Sequence, residues 1–145
     1  MLPPRTWPTG DRMLLDASVL LRAIDGPQHP QYQQAKEWVD EAVASDEPLR
    51  VHPITMMEVS YVLASKPAGY GWERSGVADA LAAILEDPTL TVVDAPILDR
   101  AVELFRQHPL DLQDCYLAAF SEARHEQVRS FDGDFDRLRA AGLAI

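Results

Sequence analysis

A chain of 145 residues has room for one compact domain, which at this size buries roughly 68–70% of the surface its unfolded form would expose. Its 47% apolar and 25% charged residues exclude a disordered tail, a collagen-like rod and a low-complexity segment. A single cysteine, Cys115, excludes an internal disulfide, and no Cys/His spacing matches a zinc site. Acids outnumber Lys plus Arg by 23 to 13, a net charge of −10, where a conventional nucleic-acid binder carries a basic footprint. Either the protein avoids polyanions, or its acids gather where they hold metal ions. No apolar run approaches the ~18–20 residues of a membrane span. The opening MLPPRTWPTGDR lacks the apolar stretch of a signal peptide. These features predict a soluble protein of a reducing, cytoplasmic compartment.

In chain order, residues 1–12 are Pro-rich and polar and are expected to form a flexible extension, with the domain spanning 13–145. Arg12–Leu15 predicts a short buried strand and Ala17–Ile24 a helix, broken by Gly26-Pro27. Tyr32, Ala35, Trp38, Val39, Ala42 and Val43 recur at helical spacing from His29 to about Ala44, with Trp38 expected in the core. Leu49–His52 predicts a second strand, closed by Pro53, and Ile54–Ala64 a helix ended by Lys66-Pro67. Pro67–Trp72 is a loop by its glycines and proline. A helix over Glu73–Leu85 precedes the β-branched strand Thr89–Val93. Helices over Ala95–Gln107 and Leu110–Arg124, a strand over Gln127–Phe131 and a helix over Phe135–Ala141 complete the pattern. Alternating short apolar strands and helices predict an α/β domain with a largely parallel sheet buried on both faces. Right-handed crossovers make it a three-layer α/β/α sandwich.

The chemistry shows in acids placed where the pattern wants hydrophobes. Asp16 follows Met13-Leu14-Leu15, at the strand's carboxyl end, where open α/β sheets bind ligands; it also suits a helix N-cap. Ser18, two residues on, can bond the Asp16 carboxylate. Asp132 follows Val128–Phe131 in the same way, with Asp134 two residues later. Glu58 shares a helix face with Ile54, Tyr61 and Val62, and Asp114 shares one with Leu110, Leu117 and Ala118. An acid in an apolar stripe is costly to bury without a cation or hydrogen bonds, so a salt bridge to arginine or a shared metal is expected for each. If the four converge, their repulsion raises their pKa values. A divalent cation removes that penalty, and an all-oxygen set suits Mg²⁺ or Mn²⁺.

The strings MLLDASVLL, ITMMEVSYVL, DLQDCYLAAFSEA and VRSFDGDFDRL resemble, in order and spacing, the four acidic motifs of PIN-domain ribonucleases, above all the VapC-type toxins of bacterial toxin–antitoxin pairs. The resemblance runs from Met13 onward. It implies Asp16, Glu58, Asp114 and Asp132 as the metal-binding and catalytic acids, with Asp134 contributing directly or through water and Ser18 supporting the first aspartate. It also implies a five-stranded parallel sheet, a homodimer and Mg²⁺-dependent endoribonuclease activity, with Mn²⁺ as substitute. The implied partners are an RNA substrate and a small antitoxin that places an Arg or Lys among the acids. The alternatives are a non-catalytic PIN-like binding module and another α/β phosphohydrolase.

Other features point less sharply. His29, His52, His108 and His125 lack paired metal spacing and suit surface or capping roles. Cys115 is expected to be a small buried hydrophobe. Tyr70 and Trp72 are candidate contacts for RNA or a partner, with loop packing as the plainer role. Arg124, Arg129, Arg137 and Arg139 form a local cationic cluster, suited to RNA phosphates or to a solvated surface.

Overall fold

The structure is a computed structural model and describes residues 13–145; the expected extension over residues 1–12 and Arg12 of the first strand lie outside the described residues. Ten elements follow in order: β1 (Met13–Leu14), α1 (Ala17–Asp25), α2 (Tyr32–Ala44), β2 (Leu49–Val51), α3 (Pro53–Ala64), α4 (Arg74–Glu86), β3 (Leu90–Val92), α5 (Ala95–Gln107), α6 (Leu112–Arg124) and α7 (Asp134–Ala140). The strands pair in parallel in the order β1-β2-β3, with Met13 opposite Leu49 and Leu49 opposite Leu90. The α/β class and the parallel sheet agree with the pattern in the sequence.

Among the described residues the sheet has three strands, not about five. The strand expected over Gln127–Phe131 is irregular chain. A buried strand needs inward side chains at every second position, and here Val128 is buried while Arg129, Ser130 and Phe131 are all exposed. Arg139 holds this segment instead, donating to the Val128 carbonyl at 2.6 Å and to the Ile145 carbonyl at 3.0 Å.

Helix boundaries follow local chemistry. Asp16 caps α1 by accepting from the Ser18 amide, and Gly26 ends it at φ 85°, a backbone region glycine enters without a Cβ penalty. His52 caps α3, its Nδ1 accepting from the Ile54 amide at 3.2 Å, with Pro53 at the first helical position. Helix α6 begins at Leu112, two residues later than expected, because Asp111 is its extended N-cap. His125 ends it in the left-handed region.

One continuous core includes Leu49 and Val51 of the sheet, Met56, Val59 and Leu63 of α3, Leu81 of α4 and Leu98 and Leu104 of α5. Cys115 is fully buried in it, as expected. Trp38 is not a core residue: it is 45% exposed. The loop after α3 is fastened to α1, since the Tyr70 hydroxyl donates to Asp25 Oδ1 at 2.7 Å and Arg22 holds Asp25 Oδ2 at 2.6 Å. Ion pairs from Arg100 to Glu122 and from Arg106 to Asp79 stitch helices together, while those from Arg137 to Asp134 and from Arg139 to Asp136 are pairs within α7. Among the described residues no helix is long and apolar enough to cross a membrane.

Candidate active site

Three of the predicted acids meet. Asp114 stands in the first turn of α6, Asp132 in the irregular segment and Asp134 at the start of α7. Each presents a carboxylate oxygen, and these oxygens lie within 4.8 Å of one another. Two side-chain turns shape the segment. Ser130 Oγ accepts the Asp132 amide at 2.9 Å, and Asp132 Oδ1 accepts the Asp134 amide at 3.0 Å, an Asx-type turn that bends the chain toward α6. The N-cap of α7 is Gly133, and Asp132 serves the turn and the cluster together.

The electrostatics of the cluster are unfavourable on their own. The Asp114 carboxyl lies above the ordinary 3.8, first because it is half-buried, then because Asp132, Asp111 and Asp134 repel its charge. Among the described residues the ion pair on the cluster is Arg137 Nη1 to Asp134 Oδ1, a loose 3.7 Å between partly exposed groups. Three hard oxygen donors within 4.8 Å of one another need only a small side-chain adjustment to share a small divalent cation, since two oxygens on one Mg²⁺ are at most about 4.2 Å apart. An all-carboxylate set also favours Mg²⁺ or Mn²⁺ over zinc or copper. The residues fit such an ion.

Asp16 and Glu58 are not part of this triad. Asp16 is exposed where β1 gives way to α1, and its Oδ2 accepts both the Ser18 amide at 3.1 Å and the Ser18 hydroxyl at 2.7 Å. These bonds hold its carboxyl below the ordinary 3.8. Glu58 is exposed on α3, and so are its face neighbours Ile54, at 68%, and Tyr61, at 76%. This corrects the expectation of an acid in a buried stripe: α3 turns Met56, Val59 and Leu63 to the core, and the face that carries Ile54, Glu58 and Tyr61 looks outward. Glu58, Tyr61 and Ile54 line a groove of about 570 Å³, together with Trp72, Arg74, Phe105 and the start of α6 at Asp111.

The arginines expected to form a cationic cluster are divided. Arg137 and Arg139 are paired with acids of α7, and the Arg124 guanidinium lies 5.4 Å over the Phe120 ring. Arg74 was not legible as a structural residue. One of its guanidinium nitrogens donates to the Leu110 carbonyl at 2.9 Å, the second donates to the same oxygen, and the group stacks 3.9 Å over Phe105. It thereby fixes the turn immediately before Asp111 and Asp114.

Residues 13–141 match the model of the PIN domain. The chain belongs to the PIN domain family. This PIN domain is also similar to a protein named VapC ribonuclease from Aquifex aeolicus (strain VF5), with 26% identity over 126 residues that cover 86% of this chain and 90% of the relative. No solved structure matches the chain.

Proposed function

We propose that this PIN domain protein is a metal-dependent endoribonuclease that serves as the toxin of a toxin–antitoxin pair. The observation that carries the reading is the convergence of Asp114, Asp132 and Asp134 within 4.8 Å in a PIN domain similar to a VapC ribonuclease along most of its length. The catalytic acids are assigned as Asp16, Glu58, Asp114 and Asp132, with Asp134 as a further metal ligand. A bound Mg²⁺ or Mn²⁺ supplies charge neutralisation at the scissile phosphate and a water acidified for attack.

The protein's own residues do the rest. Asp114, Asp132 and Asp134 present the hard oxygen donors. Ser18 keeps Asp16 ionised and aimed, through two hydrogen bonds to a single carboxylate oxygen. Glu58, outside the triad and exposed, orients the attacking water and accepts its proton. A small antitoxin that places an Arg or Lys among these carboxylates would supply the positive charge they lack and block the site. By likeness to the family the protein acts in the bacterial cytoplasm as a homodimer.

The test is incubation of the purified protein with total cellular RNA, with Mg²⁺ or with EDTA, followed by mapping of the cut ends. Internal cuts bearing 5′-phosphate and 3′-hydroxyl ends, lost in EDTA and in Asp114→Asn, are the expected result. Cutting that survives EDTA, or intact RNA under both conditions, would overturn the reading.

A further inference from the structure

The groove between α3 and the start of α6 is open, aromatic and next to the acids. Tyr61 is 76% exposed and Trp72 38% exposed, both on its walls. Large rings left to solvent beside a cavity mark a contact surface. Trp72 is held in place before any ligand arrives: its amide donates to the Leu63 carbonyl at 2.8 Å, and the Tyr70 ring meets it edge-on at 6.4 Å between centroids. Tyr70 is in turn bonded to Asp25. A ring fixed in this way loses little freedom on stacking.

The charge of the groove decides what enters. Glu58 and Asp111 stand on its walls and repel phosphate. Arg74, the cation on the same walls, is committed to the Leu110 carbonyl and the Phe105 ring. A polyanion therefore gains nothing here through its backbone, whereas a neutral planar group stacks on the rings at no electrostatic cost. A volume of about 570 Å³ accepts one such group with room for water. Asp111 adds a polar handle. It is the N-cap residue of α6, yet its side chain makes no capping bond, so among the described residues its carboxylate keeps the capacity to accept from a ligand. The groove also shares Glu58 with the proposed catalytic set, and Asp111 is close enough to Asp114 to raise its pKa.

We propose that this groove is a nucleobase subsite, in which one unstacked base of single-stranded RNA lies against Tyr61 and Trp72 while the adjoining backbone reaches the carboxylate cluster. The inference rests on the ribonuclease reading and deepens it: a protein of net charge −10 holds RNA by stacking, which is worth a substantial part of the affinity per base and tolerates any base. The Asp111 carboxylate favours bases that present donors. Guanine, with adjacent N1–H and N2–H groups, matches it best.

The test uses the full chain with Trp7→Phe and Trp38→Phe, which leaves Trp72 as the single tryptophan of three. It is titrated with non-cleavable 2′-O-methyl tetranucleotides of A, C, G and U while Trp72 fluorescence is followed. Saturable quenching, tightest with G, weakened about tenfold by Tyr61→Ala and kept by Tyr61→Phe, is expected. On cleavable RNA, Tyr61→Ala and Trp72→Ala should raise KM about tenfold with kcat little changed, and the Phe variants should stay near the parent. Quenching in a protein that cuts no RNA would support the subsite and sink the ribonuclease reading. Mg²⁺-dependent cutting with no quenching, and with KM indifferent to Tyr61, would overturn the subsite alone. If no oligonucleotide quenches and Tyr61→Ala instead releases a co-purifying basic protein, the groove docks protein and the proposal falls.

Discussion

Ser18 donates both its backbone amide, at 3.1 Å, and its hydroxyl, at 2.7 Å, to the same oxygen of Asp16. The hydroxyl bond is the larger cause of the lowered Asp16 pKa, ahead of the amide. Because the folded value lies below that of the unfolded chain, the stabilisation is present above pH 3.8 and is lost as pH falls through the folded value. Ser18→Ala should bring the Asp16 pKa back toward 3.8, read from its carboxyl carbon in an NMR titration. Cleavage should weaken while the α1 cap survives on the amide. Asp16→Ala removes the cap as well and should cost about 1 kcal/mol.

Asp114 has the opposite sign. Its folded pKa is raised, by burial first and by the neighbouring carboxylates next. The unfolded chain therefore ionises at lower pH, and the metal-free protein loses stability as pH rises from 3.8 through the folded value. Asp114→Asn should melt higher than the parent in EDTA at pH 7.5, with a smaller gap at pH 4.5. Saturating Mg²⁺ should raise the parent's melting temperature by several degrees, since a ligand at a hundred times its Kd contributes about 2.7 kcal/mol. It should move the variant much less. Identical Mg²⁺ shifts in both would show that the acids do not share an ion.

Arg74→Ala tests the turn before the cluster. The substitution strips the Leu110 carbonyl of both guanidinium donors and Phe105 of its cation. A charged hydrogen bond and a partly desolvated cation–π contact together suggest a loss of about 2–3 kcal/mol, read from urea denaturation. Cleavage should fall by more than that stability loss explains, because the start of α6 carries Asp114. Arg74→Lys should recover only part, having no planar fork.

Cys115 should be chemically silent in the folded protein. Burial pushes its thiol up to about 12, so almost none is thiolate at pH 8. Iodoacetamide should label it in urea and leave it untouched in buffer, and added Mg²⁺ should slow labelling at intermediate urea. Rapid labelling in buffer would mean that α6 opens readily.

The three strands were legible because each is a short apolar or β-branched run ended by a polar or turn residue, as in Met13-Leu14-Leu15 before Asp16. Val128–Phe131 looks the same in one dimension and is not a strand. Phe131 is apolar yet fully exposed, and hydrophobicity alone cannot say whether a neighbouring strand exists to pair with. Asp114, Asp132 and Asp134 were each recognisable as misplaced acids, and the Asx turn that joins the last two follows from their spacing of two. What spacing cannot carry is the distance between α6 and that turn. Glu58 shows the converse. Its apolar neighbours Ile54 and Tyr61 do share its face, but periodicity reports a face without reporting what lies opposite. Here solvent and a groove lie opposite, where a core was expected.

The pairing of arginines has a consequence at the bench and in the cell. Arg22, Arg100, Arg106, Arg137 and Arg139 are each answered by a carboxylate within their own fold, and Arg74 is spent on a carbonyl. With a net charge of −10, the field of the whole protein opposes loose clinging to polyanions. The protein should flow through heparin, bind an anion exchanger, and emerge from lysate with the absorbance ratio of clean polypeptide. On the ribonuclease reading this is a form of restraint: bystander transcripts would not be collected and held, and only those that bring the right encounter with the acids would be cut.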